Sequence, residues 1–231
     1  LNILRETVMG RELFDYAFKT YANRWKFKHP TPEDFFRTME DASAFDLDWF
    51  WRGWFYTTDN NDIGIKEVKK YFVSNDEPKE VKDFLKTRRR RNRIEGPMVY
   101  MVADGSESFK ASMNKPFEIK DSKSLETYIN ETFSKEEQAK LKTPKYFYQV
   151  TFDKPGGLVM PIIVEMTFED GTTETHHFPA QIWRMNDKEA NRTFATDKKV
   201  TKIVLDPEEE TADVDLTNNT WPKQEIKSKF D

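Results

Sequence analysis

Cysteine is absent from this 231-residue chain, which excludes disulfides and thiolate chemistry. That absence leaves the compartment open, because cysteine-free proteins occur everywhere. Histidine is almost absent: His29, His176 and His177 are the full set. No glycine-rich phosphate loop occurs, and no order of Ser, His and Asp points to a nucleophilic triad. No apolar run approaches the ~18 residues of a membrane span. Neither sign of charge dominates, and the net charge of -4 argues against a general nucleic-acid binder. What is present is bulk: 19 Phe and 6 Trp supply enough apolar surface for real cores. The length allows one large or two modest domains.

The stretch from Pro30 to Asp59 is the most legible. Thr31 reads as a helix N-cap, with Pro32 at the first helical position and Glu33 and Asp34 in the first turn. Acidic groups there meet the positive end of the helix dipole. Phe35, Phe36, Met39 and Ala42 follow at helical spacing. Asp46 reads as the cap of a second short helix that carries Leu47, Trp49, Phe50 and Trp54. Upstream, Leu1, Leu4 and Val8 sit at helical spacing without an initiator Met, so the chain is expected to begin inside a helix, as a portion of a longer protein. Gly10 ends that helix, and Arg11 to Lys28 forms the next, with Phe14, Ala17, Phe18, Tyr21 and Trp25 as its apolar stripe. His29 and Pro30 stop it. Aromatic faces this rich need partners, and part of that surface is expected to lie bare.

Beyond Asn60-Asn61, a turn signal, the pattern weakens. Ile65, Val68, Tyr71 and Phe72 fit a strand or a short helix, and Asn75 to Pro78 is a turn signal. Val81 to Lys86 reads as helix and leads into the run Arg88 to Arg91, Asn92, Arg93. That run reads first as a solvated connector, since no aromatics interleave it as a nucleic-acid groove requires. Its functional alternative is a phosphate, lipid-headgroup or nuclear-import patch. Met98 to Val102 fits a strand, and Asp104-Gly105-Ser106 a turn. Leu125, Tyr128, Ile129 and Phe133 mark a helix starting near Ser122 or Ser124, and Ser134 with Glu137 forms a capping box for a short helix ending near Leu141.

From Lys145 the period becomes two. Phe147 to Phe152 alternates, Pro155-Gly156-Gly157 is a turn, and Ile162, Val164, Met166 and Phe168 line one face of a half-buried strand. Asp170-Gly171 is the clearest hairpin signal. Thr172 to Pro179, Gln181 to Arg184, Thr193 to Ala195 and Lys199 to Leu205 supply further strands, near seven in all. The fold class predicted is α+β: an N-terminal helical segment, a mixed connector and a C-terminal antiparallel β-sandwich. The divisions are 1–59, 60–144 and 145–222, with 223–231 as a tail.

Two patches together resemble the M1 family of zinc aminopeptidases. The first is Thr31, Pro32, Asp34 and Phe35 followed by Asp46, Leu47, Trp49, Phe50 and Trp54, which looks like the close of that family's helical peptidase domain. The family often has Gly before the Asp-Leu pair, where this chain has Ala44-Phe45. The second is Gly156 to Pro161, Asp170-Gly171-Thr172, Ile182-Trp183, Leu205-Asp206-Pro207 and Asp213 to Asn219, which resembles the immunoglobulin-like sandwich that follows. The stretch 60–144 matches no motif. The resemblance implies a parent enzyme that removes N-terminal residues from peptides with zinc-activated water. It implies that this chain is a non-catalytic portion whose partners are the upstream catalytic domain of the same polypeptide and, for the parent, peptide substrates. It leaves the compartment open, with a periplasmic or secreted one favoured.

No catalytic, cofactor-binding or metal residue is assigned to the chain itself. The His-Glu-x-x-His zinc motif and the family's Gly-x-Met-Glu-Asn motif are both absent. His176 and His177 are neighbours on a strand, so they point to opposite faces and cannot chelate together; His176 with Glu174 needs ligands from other strands. His29 reads as a loop residue. Asp213, Asp215 and Asn218 hint at calcium, but Thr217, Asn218 and Gln224 fit the loop pattern poorly, and an acidic edge strand and turn is the plainer reading. Glu40-Asp41 and Glu208 to Glu210 read as helix surface and loop. The alternative function is a binding module that docks a protein, glycan or anionic surface through the sandwich or Arg88–Arg93; a third is a pseudo-peptidase scaffold.

Overall fold

The computed structural model describes residues 1–74, 98–101, 122–139, 141 and 146–223. The expectations for Asn75 to Pro78, Val81 to Lys86, Arg88 to Arg93, Asp104 to Ser106 and Gln224 lie outside the described residues.

The first turns of the chain are helical, and Leu4–Val8 takes the wider π-helical form, in which the Met9 amide donates to the Leu4 carbonyl at 2.9 Å. Gly10 follows with a φ of 81°, which lets the chain leave the helix and start α1, Arg11–Trp25. That helix stops three residues short of the predicted Lys28. Lys26 is already extended and Phe27 has a φ of 62°, so the exit precedes the His29-Pro30 pair. α2, Pro32–Ser43, starts as predicted: the Thr31 hydroxyl accepts from the Asp34 amide, and the Asp34 carboxylate accepts from the Thr31 amide.

The next helix, α3, is Asp48–Tyr56. The expectation for Asp46 is corrected here. Leu47 occupies the N-cap, and the Asp46 carboxylate accepts from the Asp48 amide at 3.3 Å, holding the turn before the helix rather than its end. Leu47 is fully buried because it fills the space between α2 and α3, a demand that outweighs capping chemistry.

These helices share one core of Leu4, Met9, Phe14, Ala17, Phe36, Met39, Leu47, Phe50 and Trp51. Polar ties fix it at the edges. The Arg5 guanidinium donates twice to Asp15, at 2.8 and 2.9 Å. Trp25 Nε1 donates to the buried Thr38 hydroxyl at 3.1 Å. The expected bare aromatic surface is present: Tyr16, Phe18, Phe27, Phe55 and Tyr56 are all exposed.

Among the described residues eight strands follow in two sheets: β1 Gly64–Ser74, β2 Met98–Met101, β3 Tyr146–Asp153, β4 Ile162–Phe168, β5 Thr173–Phe178, β6 Glu189–Thr196, β7 Val200–Leu205 and β8 Thr220–Trp221. The first sheet runs β2-β1-β3-β6 and the second β5-β4-β7-β8. The pairs β1–β2, β4–β5 and β7–β8 are antiparallel. The segment around Ile65, open between strand and helix in the sequence, is strand β1. In β4 the alternation holds, with Val164 and Met166 fully buried, but Ile163 is buried as well, so the face opposite is not uniformly solvated. Gly171, with a φ of 79°, turns the β4–β5 hairpin, and the Phe168 amide donates to the Thr172 carbonyl across it.

Three further expectations are corrected. Ala180–Arg184 is a 3-10 turn and not a strand, because Trp183 is drawn into the core and its Nε1 donates to the Met160 carbonyl at 2.8 Å. Residues 213–215 form no edge strand: Asp213 makes an isolated parallel bridge to Asn61, and Leu216–Asn218 is a 3-10 turn. The helix after Ser134 is one turn, Lys135–Gln138 (α5), although its capping box is made as predicted. The helix before it, α4, is Lys123–Thr132 with Ser122 as its cap.

By contacts the chain divides into two compact units. One holds Leu1–Lys66, Thr151–Ala190 and Thr201–Asp231; the other holds Glu67–Val150 and Asn191–Val200. No described helix is long and apolar enough to cross a membrane.

Candidate functional site

The helix pair α2–α3 carries the sequence features that pointed to a function. Its centre is Trp51, which stacks on Phe36 at 4.5 Å between ring centroids with an interplanar angle of 18°. Trp51 is 3% exposed. Trp51 lies outside the aromatic residues that the resemblance singles out on this helix, Trp49, Phe50 and Trp54. Trp49 is only partly buried, and its Nε1 donates to the Asp46 carbonyl at 3.1 Å. The signal was available: Leu47, Phe50, Trp51 and Trp54 follow the i, i+3, i+4, i+7 pattern of one helix face.

Glu40 is also repositioned. Read as helix surface, it is half-buried, and its Oε1 accepts from the Leu47 amide at 3.0 Å and from Trp51 Nε1 at 3.2 Å. One carboxylate thereby clamps the end of α2 to the start of α3. Its burial pushes its pKa up, against the lowering effect of those hydrogen bonds. Its place four residues after Phe36 put it on the apolar face, which is the clue the sequence held. Beside this clamp a groove of about 420 Å³ opens between the two helices, floored by Phe36 and Trp51.

The histidines are kept apart. His176 pairs with Val164 and His177 with Ile163, on successive positions of β5, so their side chains take opposite faces. Glu174 Oε1 lies 3.4 Å from His176 Nε2. His29 is exposed in the α1–α2 connection. Asp213, Asp215 and Asn218 are each hydrogen-bonded to neighbouring backbone or side-chain groups. Asp213 accepts from the Ile63, Asp215 and Asn219 N–H groups. Asp215 accepts from the Thr217 amide and hydroxyl, and Asn218 Nδ2 donates to Asp62. Burial pushes Asp213 up in pKa. Among the described residues, no group of three His, Asp or Glu side chains is placed to hold a metal ion.

Around Asp213 lies a structural node that the sequence pattern does not reveal. Asn61, read as a turn residue, is 2% exposed and donates through Nδ2 to Thr211. Asp206, 6% exposed, accepts from the Glu210 and Thr211 amides and the Thr211 hydroxyl. Gly156 and Gly157 serve the same node by closeness. A Cβ on Gly156 would strike the Asn60 carbonyl and lie 2.6 Å from the Asp62 amide, and one on Gly157 would strike Asp59. The chain bends at Gly156-Gly157 as expected, and since neither glycine has a positive φ, it is close approach that requires glycine there.

The fold is α+β, helices joined to two antiparallel sheets. Set beside known proteins, the chain matches no family model and no curated protein.

Proposed function

We propose that this chain is the C-terminal portion of an M1-like zinc aminopeptidase, in which it buttresses the catalytic domain and walls part of the substrate channel. The observation that carries this reading is the helix pair. The Thr31–Asp34 capping box, the Asp46–Leu47 entry and the aromatic α3 stand in the order that the resemblance requires. Downstream, antiparallel strands follow, with Gly156-Gly157 and the Gly171 hairpin at the resembling positions. An immunoglobulin-like pairing of the two sheets belongs to the same proposal. It is supported by the Tyr148 hydroxyl on β3, which accepts from the Val200 amide on β7 at 2.9 Å.

The described residues do not fit a zinc site, since no set of His, Asp or Glu ligands converges. On this reading the zinc ligands, the water-activating Glu and the peptide's amine site belong to the preceding part of the polypeptide. The residues of this chain then act by position alone, with the Trp51–Phe36 stack and the Glu40 clamp holding the final helices rigid.

The test is zinc content and hydrolysis of a panel of aminoacyl reporters, on this chain and on the longer protein that includes its upstream sequence. The reading expects neither zinc nor turnover from the chain alone, and both from the longer protein. Zinc with turnover in the chain alone, or neither in the longer protein, overturns it.

A further inference from the structure

Phe27, at the exit from α1, is 100% exposed and has a φ of 62°. It stands just past the helix C-cap, Lys26. Glycine is the usual residue at that position, because it takes a positive φ without strain. The turn is closed by backbone alone, with the Lys28 amide donating to the Trp25 carbonyl at 3.0 Å. The Phe27 ring therefore adds no packing to the fold, and its backbone is less stable there than that of a glycine. A conformation of this kind, kept with no structural gain, is characteristic of functional positions.

The charge around that ring has one sign. From Tyr16 to Pro32 no Asp or Glu occurs, in a chain that has 41 of them. The same stretch carries Lys19, Arg24, Lys26 and Lys28, all exposed, and His29 beside them. Lys26 and Lys28 flank Phe27 directly. Lys28 Nζ lies 5.7 Å from the centroid of the Trp25 ring, and Trp25 Nε1 is tied to Thr38, so the tip stands on an anchored base. The carboxylates that bound the stretch have other partners. Asp15 accepts from Arg5, Glu33 from the Tyr56 hydroxyl and Asp34 from the Thr31 amide.

We infer that this tip is a peripheral contact for an anionic lipid surface. The Phe27 ring enters the boundary between headgroups and acyl chains, and the Lys26 and Lys28 ammonium groups meet lipid phosphates while their stems lie along the apolar side. A bilayer suits a lone projecting ring better than a protein partner does. It is fluid and closes around the ring, whereas a protein would have to present a pocket of matching shape. This inference rests on the α1 exit alone and is independent of the zinc-peptidase reading.

The probe is a vesicle of phosphatidylglycerol and phosphatidylcholine, about three parts to seven, beside one of phosphatidylcholine alone, each sedimented with the full chain. Binding to the anionic vesicle is expected to be roughly tenfold or more tighter. The double variant Lys26→Gln, Lys28→Gln should lose most of that margin, and ~1 M salt should have the same effect on the native chain. Phe27→Ala should weaken binding roughly tenfold, whereas Phe27→Trp keeps it. Phe27→Gly should also bind weakly while melting no lower than the native chain, because the ring supports nothing in the fold. Equal sedimentation with both vesicles, or with neither, overturns the proposal. Undiminished binding by Phe27→Ala shows surface adsorption by charge alone and overturns it as well. The longer protein with its upstream sequence is expected to bind in the same way, and failure there overturns the assignment whether or not that protein holds zinc.

Discussion

The side-chain amide of Asn61 holds Thr211, 150 residues further along, through Nδ2 hydrogen bonds of 3.0 Å to its carbonyl and 3.1 Å to its hydroxyl. Thr211 in turn donates its hydroxyl to Asp206, so three buried polar residues form one hydrogen-bonded chain. Asn61→Ala leaves the Thr211 carbonyl without its donor. The expected cost is about 1–3 kcal/mol, read as a lower urea midpoint at unchanged slope. A midpoint equal to that of the native chain would remove Asn61 from the list of anchors.

Gly156 predicts a sharper effect. A methyl group there meets backbone, the Asn60 carbonyl and the Asp62 amide, and backbone cannot rotate aside as a side chain can. Gly156→Ala should destabilise by about 1–3 kcal/mol through displacement of the 59–62 segment. At Gly53 the same methyl meets only the Leu158 Cδ2 end, which can shift, so Gly53→Ala should cost less. Thermal unfolding of the two variants side by side decides it, and the reverse order would refute the backbone argument.

The tryptophans of α3 should separate clearly. Trp51→Ala empties the centre of the helical core and should cost about 3–5 kcal/mol. Trp49→Ala removes a partly buried ring and should cost markedly less. Near-ultraviolet circular dichroism with denaturant unfolding compares them. Comparable losses would show that the two rings share the core equally.

Glu40 sets a pH dependence with a definite sign. Its folded pKa is raised by burial, so near that value the native state retains a proton that the unfolded chain has released. Stability therefore falls as pH rises from the unfolded value through the folded one. Glu40→Gln keeps an acceptor for Leu47 and Trp51 but cannot ionise, and should flatten that fall. Glu40→Ala orphans both donors and should destabilise by about 1–3 kcal/mol at every pH. Asp15 and Glu6 act oppositely: hydrogen bonds from Arg5 and Arg11 lower them, and their contribution is lost as pH falls through their folded values. Urea midpoints between pH 4 and 8 for the native chain and Glu40→Gln test the assignment. Parallel curves would place the slope elsewhere.

The caps at Thr31 and Ser134, a helix start near Ser122 or Ser124, the stop at Gly10 and the hairpin at Gly171 are all legible in the chain. Each satisfies its own hydrogen bonds or backbone angle within about one turn, so nearest neighbours are enough information. Where reading failed, the competitor was a distant contact. Gln181 to Arg184 has strand-like residues, yet Trp183 is pulled inward by the Met160 carbonyl, and a 3-10 turn results. Asp46 looked like a cap, but Leu47 had to be buried and took the position.

Sequence alone thus determined where helices begin, where the hairpin turns and which class of fold follows, because those outcomes are settled by local geometry and by hydrophobic period. Tertiary structure decided that Asn61 meets Thr211, that Gly156 passes against Asn60, and that Arg37 and Arg52 line one groove. Those pairings depend on which loops close upon one another, and the energy that selects them is spread over the whole core.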